Sequence, residues 1–133
     1  MADPTAFIHD SMPLTRTLGV TAEKLDPSEV VLRLEWAEAL CTAGGVLHGG
    51  ALMTLADSAG AACAFLNLPE GATATSTIES KTNFMGAVRE GGVTARASVL
   101  HAGRTTIVVE ATITDANGRL VAKTLQTQAV LGP

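Results

Sequence analysis

One histidine, two glycines and one carboxylate lie within an otherwise apolar part of this sequence. The stretch from Gly44 to Asp57 has the sequence GGVLHGGALMTLAD, and Asp57 is the only formally charged side chain between Glu38 and Glu70. Burying an unpaired charge costs on the order of several kcal/mol, so an apolar segment does not keep a lone carboxylate for stability. We therefore interpret Asp57 as a functional residue.

The Asp57 carboxylate has two chemical uses that fit such surroundings. It can attack an electrophilic carbonyl directly, or it can take a proton from a water molecule that attacks instead. A carboxylate that caps the backbone of a partner is the structural alternative. Thr77 lies on the first strand expected after the helix that carries Asp57, where its hydroxyl would orient the water. The other interpretation of Thr77 is an ordinary β-branched strand residue.

The sequence His48-Gly49-Gly50 stands where a loop is expected to enter a helix. The first N–H groups of a helix have no intrahelical acceptor, and the helix dipole is positive there. A glycine at position 49 lets a carbonyl oxygen approach its N–H, and donors of this kind contribute about 3–4 kcal/mol to acyl-transfer transition states. These residues predict an oxyanion site, and a glycine-rich helix start with a partly exposed histidine is the alternative.

His48 and Asp57 do not fit one site within one chain. Nine residues separate them, which on a helix is roughly 13.5 Å of rise and about 180° of rotation. A two-fold dimer with two such helices side by side would set His48 of one chain against Asp57 of the other, because contacts across a two-fold axis are reciprocal. We therefore predict a site shared by two subunits.

The elements that must position these residues are one long helix and several strands. Apolar side chains cover nearly all of a helix predicted from His48 to Leu66, which should therefore be buried. Residues 1–16 form a lead-in that suggests a short helix or an extended arm. Alternating apolar and polar residues predict strands near 17–25, 29–36, 72–85, 92–102, 104–115 and 119–131. The expected fold class is α+β, with the helix wrapped by a curved antiparallel sheet of about five to six strands.

Composition limits the partners and the location of the protein. At 133 residues the chain is expected to be one domain, with a net charge of −4 and an isoelectric point near 5.2. It contains no cluster of basic residues that would neutralise phosphates, so nucleic acid and anionic membranes are not expected partners. The N-terminal residues lack the pattern of a secretory signal, and we expect a cytoplasmic protein.

Three weaker features have plain structural interpretations. Cys41 and Cys63 have no metal-ligand spacing and are expected to be buried free thiols. His9 and His101 have no evident partner and are expected to be surface or structural residues. The apolar run around the GxxxG spacing of Gly45 is long enough to cross a bilayer, but its polar residues disfavour a membrane helix.

Two arginines remain as candidates for contact with an anionic ligand. Arg104 follows the Ala102-Gly103 turn, and Arg89 precedes Glu90-Gly91. Each is otherwise a solvated loop charge.

Taken in order, these segments resemble the hotdog-fold acyl-CoA thioesterases, in particular the small phenylacetate-pathway type and the related 4-hydroxybenzoyl-CoA thioesterases. The resemblance covers about residues 17–131. It rests on His48-Gly49-Gly50 with Asp57 nine residues after the histidine, followed by the segments TIESKTNFM, GRTT and DANGRLVA at residues 77–85, 103–106 and 115–122.

This resemblance implies hydrolysis of an acyl-CoA thioester without a metal or redox cofactor. It also implies a homodimer with a continuous sheet that pairs again into a tetramer. The thioester carbonyl would meet the Gly49 N–H at the helix start, with His48 and Gly50 nearby, while Asp57 of the other subunit attacks it or activates water. Thr77 matches a position that carries a water-orienting hydroxyl, and Arg104 and Arg89 would contact the CoA phosphates.

One position departs from the family pattern. Relatives usually have Asn or Gln six residues before the histidine, where this chain has Thr42. The amide at that position is thought to orient the thioester or the water, and a threonine hydroxyl can also donate and accept. A non-catalytic acyl-CoA-binding protein is therefore the alternative function. A hydratase is disfavoured because that group resembles a different spacing of Asp and His.

Overall fold

The computed structural model describes residues 3–133 of the chain. One long helix lies against a six-stranded antiparallel sheet, which confirms the predicted α+β fold class. The helices are α1 (Pro4–Ser11), α2 (Pro13–Leu18) and α3 (Gly49–Phe65). The strands are β1 (Thr21–Asp26), β2 (Glu29–Glu35), β3 (Ala74–Phe84), β4 (Gly92–Ala102), β5 (Thr106–Thr114) and β6 (Leu120–Leu131).

Helix α3 is the buried centre of the fold. His48 caps its N-terminus and Leu66 ends it, within one residue of the predicted bounds. The helix presses closely on the sheet at Gly60, where a Cβ atom would lie 2.9 Å from Nε2 of Gln126 and 3.0 Å from Cγ2 of Val109. The absence of a side chain at this position therefore sets how near the helix and the sheet can approach.

The order of strands in the sheet is β1-β2-β4-β5-β6-β3. Strand β5 alternates buried and half-buried residues along its whole length, as a strand does when one face covers a core. The turn before β6 contains Gly118 at φ +81°, which fits the predicted Asn-Gly turn. Strands β1 and β3 are the two edges, so the eleven residues of β3 pair only with β6 among the described strands.

The inward face of β3 changes at a β-bulge between Thr77 and Glu79. Thr77 is opposite Gln128, whereas Ser80 and Phe84 beyond the bulge are opposite Gln126 and Ala122. These β6 partners face the helix because alternate residues of that strand are buried. The extra residue at the bulge therefore lets odd-numbered positions face α3 before it and even-numbered positions after it.

The N-terminal part differs from the prediction in detail. The lead-in forms two short helices, and residues 1–2 of the predicted segment lie outside the described residues. The strand predicted from residue 17 begins only at Thr21, because α2 continues to Leu18 and ends at Gly19 with φ +78°. His9 has a structural role there, since its Nε2 lies 2.7 Å from the Val20 carbonyl oxygen and joins the two helices to the sheet.

The two cysteines and the membrane alternative are also accounted for. Cys63 is a buried free thiol as predicted, and desolvation raises its pKa to about 11. Cys41 is only half-buried, because it lies in the loop that leads to α3 rather than in the core. Within residues 3–133, none of the helices has the length and apolar character needed to cross a membrane.

Candidate active site

Asp57 lies in the third turn of α3 and faces strand β3. Its Oδ1 atom is 2.7 Å from Oγ1 of Thr77, a hydrogen-bonding distance. The Asp57 side chain is half-buried and Thr77 is exposed, so the pair is open to solvent on one side. The structure thus brings together the carboxylate and the hydroxyl that the sequence singled out separately, and both come from the same chain.

Two residues that the sequence analysis missed lie behind this pair. Gln128 Oε1 is 2.6 Å from Thr77 Oγ1, and Gln126 Nε2 is 2.8 Å from the same Gln128 oxygen. Gln126 also approaches the Asp57 carbonyl oxygen at 3.3 Å. The alternation of residues in β6 could have indicated them. It places both glutamines at buried positions of the strand, in line with the inward residues Thr124 and Ala122.

His48 and the two glycines form the start of α3. His48 Nδ1 accepts the Gly50 N–H at 2.8 Å, so in the neutral ring the proton is on Nε2. The Gly50 N–H is therefore already used. The Gly49 N–H has no acceptor among residues 3–133, and a Cβ atom at Gly49 would lie 3.1 Å from Cζ of Phe84. This is the free donor expected of an oxyanion site, beside an aromatic ring.

Asp57 and the start of α3 do not meet within one chain. Asp57 and His48 are on one continuous helix, which keeps them roughly 13.5 Å apart along its axis. The geometric premise of the shared site is therefore present, while the partner that would complete the site stays a prediction.

Thr42 lies in the tight loop before α3. Its N–H donates to the Val46 carbonyl oxygen at 2.8 Å, and the next pair inward is the bridge between Cys41 and Leu47. The His48 N–H donates to the Leu40 carbonyl oxygen. This ladder fixes Thr42 with an exposed side chain on the loop that ends at His48.

The two candidate arginines lie at opposite ends of the sheet. Arg89 precedes the start of β4 at Gly92, and Arg104 follows its end at Ala102. An eleven-residue strand is about 35 Å long, so the two guanidinium groups of one chain do not meet one phosphate group. Among residues 3–133 neither arginine forms a salt bridge, which leaves both available to an anion.

An apolar cavity of about 240 Å³ opens beside the Asp57 pair. Ala61, one helical turn after Asp57, lies in its wall, as does Thr75, two residues before Thr77. The side chains that complete the cavity come from α1 and its end, from α3 and from the start of β3: Phe7, Ser11, Met12, Ala62, Phe65 and Ala74. Neither Asp57 nor Thr77 lines the cavity, which their neighbours Ala61 and Thr75 connect to the pair along α3 and β3.

The residues that the structure describes include no group of three or more His, Cys, Asp or Glu side chains arranged to hold a metal ion. The groups present are the Asp57 carboxylate with the Thr77 hydroxyl beside it and, apart from them at the start of α3, the free N–H of Gly49. Groups of these kinds can support acyl transfer to water when they are brought together.

Comparison with known proteins agrees with this geometry. A model of the thioesterase superfamily matches residues 44–122. A 1,4-dihydroxy-2-naphthoyl-CoA hydrolase of Listeria monocytogenes is 31% identical over 110 residues, which span 83% of this chain and 89% of that enzyme. A Saccharolobus solfataricus protein, provisionally named an esterase, is 32% identical over an alignment of 135 positions, which covers 98% of this chain and 95% of that protein.

The solved structures include a close match in shape. The crystal structure of a thioesterase family protein from Silicibacter pomeroyi has a TM-score of 0.87 and 32% sequence identity, and the match covers 99% of this chain and 98% of that one. The fold is therefore the hotdog fold, as the resemblance implied. This chain belongs to the thioesterase superfamily.

Proposed function

We propose that this protein is an acyl-CoA thioesterase that hydrolyses an acyl-CoA to a carboxylic acid and free CoA. The observation that carries the proposal is the 2.7 Å contact between Thr77 Oγ1 and Asp57 Oδ1. The family supplies thioester hydrolysis in general terms. The assignment of CoA draws on the family resemblance and on the Listeria relative, whose name specifies a naphthoyl-CoA substrate.

In the proposed reaction, Asp57 acts on the thioester carbonyl in one of two ways. As a base, it takes a proton from water while the water oxygen bonds to the carbonyl carbon. The carbon–sulfur bond then breaks, and the departing thiolate takes the proton. As a nucleophile, Asp57 bonds to the carbonyl carbon, the carbon–sulfur bond breaks to release the CoA thiolate, and water then cleaves the resulting anhydride to the free acid, restores the Asp57 carboxylate and gives the thiolate its proton. Neither route changes an oxidation state, so the proposal involves no redox cofactor.

The oxyanion donor in this proposal is the Gly49 N–H of a second subunit. Gly49 and Asp57 are eight residues apart on α3, which keeps the donor and the carboxylate of one chain apart. An antiparallel pairing of two free β3 edges would extend the sheet and lay two α3 helices side by side. A homodimer, and by resemblance a dimer of dimers, is therefore part of the proposal.

The cavity beside Asp57 is proposed to receive the acyl group. Phe7, Met12 and Phe65 give it apolar walls. Arg104 and Arg89 are proposed contacts for the CoA phosphates, because both guanidinium groups lack a carboxylate partner within residues 3–133. Their distance along β4 means that one CoA would use only one of them from a given chain.

A non-catalytic acyl-CoA-binding protein is the second candidate. Thr42 favours this candidate. By the family resemblance, relatives have an Asn or Gln amide at this position that orients the thioester or the water, and in this chain an exposed hydroxyl takes its place. This candidate predicts that acyl-CoA binds without turnover and that Asp57 is dispensable.

The deciding experiment measures thiol release from short-chain, medium-chain, long-chain and aryl acyl-CoAs by the wild type and Asp57→Asn. The matched control is Glu70→Gln, which removes an exposed carboxylate from the turn after α3. Turnover by the wild type and the control, with a loss of about 100-fold or more in Asp57→Asn, supports the proposal. Binding without turnover across the panel favours the second candidate, and full activity of Asp57→Asn removes Asp57 from the mechanism.

A further inference from the structure

Two buried glutamines stand behind the proposed catalytic pair without an evident structural reason. Gln126 and Gln128 are 1% and 0% exposed and face helix α3. Burying an amide is unfavourable unless its polar atoms are paired, and within residues 3–133 the Gln126 Oε1 atom has no hydrogen-bond partner. An apolar pair would fill these positions at lower cost, which indicates that the amides have a role of their own.

The orientation of the Gln128 amide is fixed by its neighbours. Its Nε2 donates to Thr75 Oγ1 at 3.1 Å, and the Thr75 hydroxyl donates to the Ala129 carbonyl oxygen at 2.8 Å. Its Oε1 accepts from Gln126 Nε2 at 2.8 Å. Reversing the amide would bring two NH₂ groups together and would set an oxygen against a hydroxyl whose proton is already used. The Gln128 oxygen therefore faces Thr77.

The hydrogen bonds that Thr77 can form depend on whether Asp57 is ionised. The Thr77 oxygen lies 2.7 Å from Asp57 Oδ1 and 2.6 Å from Gln128 Oε1, but the hydroxyl has one proton. With Asp57 ionised, one of these short oxygen–oxygen contacts lacks a proton. With Asp57 protonated, the acid donates to Thr77 and Thr77 donates to Gln128, so both contacts are hydrogen bonds. Thr77 therefore connects Asp57 to Gln128 through a single proton.

We propose that Gln128 is a positioning residue that draws the Thr77 proton away from Asp57 and so keeps Asp57 ready to accept one from the attacking water. This inference rests on the proposed thioesterase function and selects the base role of Asp57. In the step concerned, a water O–H bond breaks, an Asp57 O–H bond forms, and the water oxygen bonds to the thioester carbon. The new acid proton points to Thr77, and the departing thiolate later removes it.

Gln126 is the support of this arrangement. Its amide N–H groups hold the Gln128 oxygen in place and touch the backbone of Asp57, and its own position is limited by the close approach of Gly60. Without Gln126, only Thr75 opposes reversal of the Gln128 amide. In the reversed orientation Gln128 would donate to Thr77, and Thr77 would donate to Asp57.

The test is a double-mutant cycle on steady-state thioester hydrolysis with Gln128→Met, Thr77→Val and the double variant. We expect Gln128→Met to lower kcat about tenfold, the effect of one hydrogen bond, with KM changed less than about twofold. In the Thr77→Val background the same change should lower kcat less than about twofold, because the two residues act through one proton. Gln126→Met should behave like Gln128→Met, and Thr77→Ser should keep most of the activity.

The control is Thr124→Val, which removes a buried hydroxyl two positions before Gln126 on the same face of β6. It should keep kcat, and its melting temperature shows what the loss of a buried polar group does to folding. If Gln128→Met does not fold, the cycle is run with Gln126→Met. Additive losses, or an unchanged kcat in both glutamine variants, would overturn the positioning role while leaving thioester hydrolysis intact. An absence of thioester hydrolysis by the wild type across the acyl-CoA panel would instead overturn the proposed function itself.

Discussion

The shared site is best tested by mixing two inactive variants. Asp57→Asn removes the proposed base, and His48→Ala removes the side chain that accepts the Gly50 N–H and caps α3. In a two-fold dimer, each site would take Asp57 from one chain and the start of α3 from the other. A heterodimer of the two variants therefore has one site with both residues intact and one with both changed.

The size of the effect follows from this arrangement. Random pairing of equal amounts makes about half of the dimers heterodimers, and half of their sites are intact, so roughly one quarter of the wild-type activity should return. The assay is thiol release after the two variants, carrying different tags, are unfolded together and refolded, with doubly tagged dimers counted by affinity capture. Heterodimers without recovered activity would refute the shared site, because a site within one chain has no intact copy in the mixture.

Two further predictions test the packing around α3. Gly60→Ala should lower the free energy of unfolding, measured by urea titration, by about 1–3 kcal/mol, because its Cβ would press on Gln126 and Val109; a stabilised variant, as at an exposed helix glycine, would contradict this packing. At pH 8 iodoacetamide should label Cys41 but not Cys63 in the native protein, since burial raises the pKa of the Cys63 thiol to about 11; mass spectrometry of native and unfolded samples would check it, and equal labelling in the native state would contradict it.

The helix and the strands were predictable because their signals are local. The glycines after His48 and the apolar run to Leu66 define α3 within about one turn, and the alternation in β5 persists through the whole strand. The lead-in was less clear, because its short helices take part of their stability from contacts with the sheet, such as the bond from His9 to Val20. The first strand was predicted, but its start at residue 17 was wrong because α2 continues to Leu18 and the strand begins at Thr21.

The candidate site was predictable only in part. Asp57 was conspicuous as a lone charge, and Thr77 followed from the family pattern. Gln126 and Gln128 were not recognised, because their importance depends on which strand lies beside β6. That neighbour is β3, and two other strands, β4 and β5, lie between β3 and β6 in the chain. The contact of Thr77 with Gln128 therefore joins residues that are 51 positions apart. Pairing at that distance is a property of the folded sheet.

The bulge in β3 determines which residues of this strand face helix α3. Ile78 is the extra residue, and it is exposed. Thr77 and Phe84 are seven positions apart, an odd spacing that on a strand of regular alternation would point them to opposite faces. Because Ile78 takes no part in the alternation, the hydroxyl faces Asp57 in the middle of α3 and the ring faces Gly49 at its start. Deleting Ile78 would leave an even spacing that keeps both side chains on one face, so this deletion should be tolerated, whereas deleting one paired residue of β3 between them would turn one of the two away from the helix.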